Sequence, residues 1–99
     1  MTRVRYHPDA DQEFTAATLF YHRQAPGLGG EFLDEVERTE SLLTAFPLAG
    51  RPIRGAIRRY AVRRFPFDLI YETQGEELVI LAVAHQRRKP GYWLGREAP

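Results

Sequence analysis

Apolar and polar residues alternate at the start of the chain. Val4 and Tyr6 stand between Arg3, Arg5 and His7, a period of two that predicts a short strand over residues 2–7. His7-Pro8-Asp9 breaks that pattern. Proline suits a first helical turn, and Asp9, Asp11 and Glu13 complement the positive end of a helix dipole. Ala10, Phe14, Ala17 and Tyr21 then recur at helical spacing and predict a first helix over 9–24. Pro26-Gly27, continued by Leu28-Gly29-Gly30, reads as its end. A second helix is expected over 30–46, with Phe32, Val36, Thr39, Leu43 and Phe46 on its buried line and Leu33 and Leu42 widening it. Glu31, Asp34, Glu35, Glu37 and Glu40 fill much of its outer surface, which reads as a solvated acidic face.

Residues 47–56, with two prolines and two glycines, read as a loop. Three strands are expected next, over 57–64, 67–73 and 78–85. The last of them, Leu-Val-Ile-Leu-Ala-Val-Ala-His, is nearly all apolar, the mark of a strand covered on both faces and lying inside a sheet. The segment 86–96 is first basic and then aromatic; it is expected to leave the sheet through a turn and a short helical piece. The order β-α-α-β-β-β implies an α+β fold: a helical hairpin packed on one face of a small, mainly antiparallel sheet, with the first strand at an edge. One domain is expected over 1–99, with the fold spanning 1–94 and a frayed tail at 95–99.

Charge changes the picture more than composition does. The net charge is only +1, yet residues 1–50 carry four Arg against eight acids and residues 51–99 carry nine Arg and Lys89 against five acids. This polarity suggests a basic face on a mixed domain. Residues 51–64 alone hold Arg51, Arg54, Arg58, Arg59, Arg63 and Arg64 with no acid, and Arg87, Arg88 and Lys89 follow the last strand. Together they are expected to form a basic patch for phosphates or an acidic partner. The competing reading is a set of solvated strand edges, where cations also discourage aggregation. The chain has no cysteine, so disulfides, thiolate metal sites and a cysteine nucleophile are excluded. Its three histidines are too scattered for a metal site, and no glycine-rich phosphate loop follows a strand; no cofactor and no metal are expected. No apolar run approaches the roughly 18 residues needed to span a bilayer, so a cytoplasmic protein without membrane contact is the expectation.

Three stretches, taken in order, resemble one known family. GGEFLDEVERTESLLTAFPLAGRP looks like its second helix and following loop, RRYAVRRFPFDLIYETQGEELVILAVAHQRRKP looks like its paired central strands, and AHQRRKPGYW looks like its tail. The family is the ParE/RelE superfamily of toxins from type II toxin–antitoxin (plasmid stabilisation) systems, and the ending is closest to ParE-like members. The resemblance covers about residues 2–94. It implies a toxin held inactive in a hetero-oligomer with a cognate antitoxin, whose docking site is expected at exposed apolar residues such as Leu19, Phe20 and Leu48. A ParE-like member poisons DNA gyrase without being an enzyme. A RelE-like member is an endoribonuclease that cuts mRNA on the ribosome. A third reading is a non-toxic binding module on the same fold.

RNA cleavage requires a base for the 2′-hydroxyl, an acid for the leaving oxygen and positive charge on the phosphate. Arg63, Arg64, His85, Arg87 and Tyr92 are the candidate catalytic residues in that case. Against it, Asp68 stands where RelE-like ribonucleases commonly have a basic residue, and the 47–56 loop lacks lysine. His85 and Tyr92 also have plain structural readings, as a strand-end residue bonded to a loop and as an aromatic packing the tail onto the sheet.

Overall fold

The computed structural model describes residues 3–97. Strand β1 (Arg3–Tyr6) leads into helix α1 (Pro8–Gln24) and helix α2 (Leu28–Ala45). Strands β2 (Arg51–Arg54), β3 (Ile57–Ala61), β4 (Phe67–Gln74) and β5 (Glu77–His85) follow. Position 2, where the first strand was expected to begin, lies outside the described residues, as do 98 and 99 of the tail. The sheet runs β1-β5-β4-β3-β2. It is antiparallel except where β1 lies parallel to β5 at one edge.

His7 caps α1: its Nδ1 accepts from the Asp9 amide at 3.1 Å, and Pro8 occupies the first turn. The helical hairpin closes more tightly than the glycines at 29 and 30 suggest from sequence. Instead of ending a break, they lie inside α2, which starts at Leu28. A Cβ at Gly29 would fall 2.8 Å from the Thr18 carbonyl oxygen and 3.0 Å from the His22 Cβ, so glycine there lets α1 and α2 approach closely.

Three further expectations are corrected. Residues 51–54, read as loop, form β2. Proline has no amide to give a ladder, but β2 is an outer strand and tolerates Pro52. Strand β3 stops at Ala61, short of the expected Arg64. Arg64 turns the chain with φ of 72°, a left-handed conformation no strand accommodates. Phe46 was placed on the buried line of α2; it is the C-cap residue and is 67% exposed.

The hairpin packs on one face of the sheet around Phe32, Val36, Leu43, Leu69, Tyr71, Leu78 and Ile80. Aromatic rings dominate this core: Phe32 meets Phe14, Tyr21, Phe65 and Phe67 at centroid distances of 5.1 to 6.0 Å. Tyr6 donates a hydrogen bond to Glu40, tying β1 to α2. Burial raises the Glu40 carboxyl pKa even though that bond opposes the rise.

A second, smaller cluster covers the opposite face. Ile57, Ile70, Val79, Leu81, Ala82 and Ala84 pack there under Trp93 of the tail. The tail reaches that place through turns rather than the short helical piece expected. Burial of β5 on both faces from Leu78 to Ala84 follows from these two layers. The strand carries a bulge: Ile70 pairs with Ala82 but Tyr71 pairs with Ile80, leaving Leu81 over. Leu81 and Ala82 therefore both face the tail, and Val83 returns to the helix side.

Tyr71 locks the exit of α2 to the sheet. Its Oη donates to the Pro47 carbonyl at 2.7 Å and accepts from the Gly50 amide at 2.9 Å. A Cβ on Gly50 would collide with that hydroxyl and approach the Arg59 carbonyl oxygen to 2.8 Å. Tyr71→Phe should lower unfolding free energy by about 1–3 kcal/mol, since it leaves the Gly50 amide and the Pro47 carbonyl without this partner. Urea unfolding checks it: the midpoint should fall with the slope unchanged. An unchanged midpoint would mean that water replaces the hydroxyl without loss.

Candidate functional site

Strand β1 covers β5 only along Glu77–Ile80. Beyond that point the β5 edge is closed by side chains and by the start of α1. The His7 amide donates to the Ile80 carbonyl at 2.9 Å. Arg96 Nη1 donates to the Leu81 carbonyl at 3.1 Å. Glu13 Oε1 accepts from the Val83 amide at 3.0 Å. Glu13 is thus a cap for the bulged part of the strand, and it also holds the tail. Tyr92 Oη donates to its Oε2 at 2.9 Å, and Arg96 Nη1 donates to its Oε1 at 3.0 Å. Sequence reading took Glu13 only as an acid near a helix start and expected residues 95–99 to fray. Instead Arg96 is anchored at a part-buried ion pair, with Asp9 3.8 Å from its Nε. The acid in the second turn of α1 and the arginine in the tail are so far apart in sequence that no local pattern links them.

Two cavities flank this bar. A groove of about 340 Å³ runs between α1 and the outer part of β5, lined by Ala16, Ala17, Phe20, Tyr21, Phe67 and Val83. A cleft of about 350 Å³ opens on the tail side of the sheet, with Arg54, Arg59, Arg88 and Lys89 around Ile53, Ile70 and Ala84. His85 and Arg88 line both. A shallower depression continues from the cleft past Arg59, Asp68 and Gln86 to Arg51.

Alternation along β3 divides the expected basic patch between the two faces. Arg59, Arg51, Arg54, Arg88 and Lys89 gather on the tail side. Arg58 faces the other way, donating to the Gly50 and Leu48 carbonyls at 2.8 and 3.3 Å. Arg64 turns to α2 and pairs with Glu31 at 2.7 Å and Glu35 at 4.0 Å. Arg63 and Arg87 are exposed and line none of these cavities. Among the described residues, no carboxylate pairs with Arg51, Arg54, Arg88 or Lys89. Arg59 has only Asp68, at 4.0 Å.

Of the catalytic candidates, Arg64, His85 and Tyr92 are held in contacts with neighbouring residues, whereas Arg63 and Arg87 stay exposed. His85 Nδ1 accepts from the Arg87 amide at 3.1 Å and its ring packs edge-on to Phe67. Arg88 lies 3.7 Å above the Tyr92 ring centroid. Burial and the bond to Glu13 push the Tyr92 hydroxyl up to about 12, so it stays protonated near neutral pH. Among the apolar candidates, Phe20 lines the groove and is 56% exposed, with Leu19 beside it in sequence. Leu48, 73% exposed, sits at the exit of α2 and does not line the groove.

The described residues thus form a helical hairpin on a mixed sheet with open clefts on both of its faces. The sequence model for the ParE toxin of the type II toxin–antitoxin system, parDE, matches residues 4–90. The chain therefore belongs to the ParE toxin family of type II toxin–antitoxin systems. Among solved structures, the fold is similar to a chain of a chromosomal ParDE TA system from P. aeruginosa. That match has 21% identity and a TM-score of 0.72, covering 86% of this chain and 96% of the other. No individually curated protein matches the sequence. No helix of the described residues is long and apolar enough to cross a membrane.

Glu13→Ala should loosen the tail. Trp93 is the only tryptophan of the chain and is 7% exposed, so its emission reports the seating directly. The expected outcome is a red shift and easier acrylamide quenching, with a stability loss of about 1–3 kcal/mol from the stranded hydrogen-bond partners. Unchanged emission would show that apolar packing alone holds the tail.

Proposed function

We propose that this chain is the toxin of a type II pair, that a cognate antitoxin neutralises it in a hetero-oligomer, and that the free toxin inhibits DNA gyrase by binding. The observation that carries the antitoxin part is the groove between α1 and β5. It joins exposed Phe20 to Ala16, Ala17 and Val83 beside the part of β5 whose edge is closed by Glu13 and Arg96 rather than by a strand. An amphipathic helix or extended segment of an antitoxin fits such a surface. The acidic outer face of α2 and the basic tail side give the toxin two oppositely charged surfaces for orienting partners.

Inhibition by binding, rather than by RNA cleavage, is favoured by how the candidate groups are occupied. Tyr92 is a committed donor to Glu13 with a raised pKa, Arg64 is paired with Glu31, and Asp68 stands in the basic cleft. His85, the remaining candidate for a base, has its Nδ1 taken by the Arg87 amide and its ring against Phe67.

Two measurements test the reading. Purified toxin should inhibit supercoiling of relaxed plasmid by gyrase, and pulse-labelling after induction should show DNA synthesis falling before protein synthesis. The reverse order would turn the account toward ribosome-dependent cleavage. Phe20→Asp should weaken antitoxin binding by about tenfold or more, the loss of roughly 1.4 kcal/mol or above for a charge placed in an apolar contact. Undiminished affinity in that variant, with native circular dichroism, would place the antitoxin elsewhere.

A further inference from the structure

The cleft on the tail side combines features that the antitoxin groove lacks. Arg54 and Lys89 of the cleft, and Arg51 of the depression that continues from it, are exposed and have no carboxylate partner among the described residues. Elsewhere on the surface most arginines have one: Arg3 and Arg5 reach Glu77, Arg38 reaches Glu35 and Arg64 reaches Glu31. Unpaired, clustered guanidinium groups repel one another, and a polyanion relieves that repulsion. We propose that this face is a binding site for the phosphate backbone of duplex DNA. The proposal deepens the gyrase reading, since a toxin acting on an enzyme that holds DNA can then grip both protein and duplex.

Geometry favours a duplex over a single strand. Single-strand binders offer aromatic faces on which bases stack. Here both aromatic residues of the cleft are taken: Arg88 covers the Tyr92 ring at 3.7 Å, and Trp93 is buried against the sheet. What is left for a ligand is charge carried on a ribbon. Strand β2 is exposed at all four positions and forms, with β3, an outer two-stranded hairpin of the sheet. Such a ribbon follows a duplex backbone or groove. Asp68 is the one acid lining the cleft. It is held by Gln86 Nε2 at 3.1 Å and faces Arg59 at 4.0 Å, so Arg51, Arg54, Arg88 and Lys89 carry the attraction.

The experiment is fluorescence anisotropy of a labelled duplex of mixed sequence with the full chain across a salt series. About four phosphates neutralised would give a log–log salt slope of roughly −3.6, at −0.9 per phosphate. Arg51→Gln/Arg54→Gln/Lys89→Gln should weaken duplex binding about tenfold or more at low salt and flatten the slope by about 3. The control, Arg3→Gln/Arg5→Gln, removes cations that lie on β1 at the opposite edge of the sheet, where both are paired with Glu77, and should leave affinity within about twofold. Equal weakening by the control, or a wild-type chain with no salt-dependent binding, overturns the proposal. So does tighter binding of a single-stranded RNA of equal length, or a triple variant that loses antitoxin affinity while keeping the duplex. A wild-type chain that binds the duplex but leaves gyrase supercoiling untouched keeps this proposal and removes the gyrase reading. One that inhibits gyrase without binding the duplex does the opposite.

Discussion

The carboxylate of Glu13 holds together what the backbone alone leaves open. Strand β5 is the inner strand on which both layers of the molecule rest, yet its parallel neighbour β1 stops at Ile80 and a bulge follows at once. A buried, half-paired strand edge is costly, because each backbone group without a partner forfeits a hydrogen bond it makes to water in the unfolded chain. Glu13 accepts the Val83 amide and, with its remaining lone pairs, Tyr92 and Arg96. Arg96 in turn satisfies the Leu81 carbonyl. One side chain from α1 thereby seats the tail over the second core and sets the boundary between the apolar groove and the basic cleft.

That boundary explains how a chain of 99 residues can present two chemically different surfaces. The groove is apolar because α1 turns Ala16, Ala17 and Phe20 toward the β5 edge. The cleft is basic because strand alternation sends Arg59 away from Arg58, and because the turn after His85 brings Arg88 and Lys89 beside the β2–β3 hairpin. Arg88 and His85 border both, so the surfaces adjoin without overlapping in their main contacts. A protein segment in one and a duplex in the other are compatible occupants.

The fold was largely legible in the sequence, because two helices and four of the five strands announce themselves by period and by their breaking residues. What was misread has a common physical cause, namely contacts between distant segments. Pro52 argues for a loop until the strand containing it proves to be an outer one, where the missing amide costs nothing. Gly29 and Gly30 look like an interruption until the close approach to Thr18 and His22 shows why a side chain at 29 is excluded. Phe46 keeps the helical spacing but stands at the cap, past the last turn that faces the core. Of the site, the basic residues were legible as a cluster, but their division between faces depends on β3 ending at Ala61 and on the turn at Arg64. Glu13 and Arg96 carried no local signal, since their meaning lies in a bulge that no hydrophobic run reveals.

The measurement that bears most directly on the two-surface account is amide chemical-shift mapping of the isotopically labelled chain, which at 11.4 kDa suits the method. It would be titrated once with an antitoxin segment and once with the duplex. The account expects two distinct sets of shifted amides. One centres on Ala16, Phe20 and Val83, the other on Arg51, Arg54, Arg59 and Lys89, and they meet only near His85 and Arg88. A single common set, with either ligand excluding the other, would contradict it and reduce the two surfaces to one.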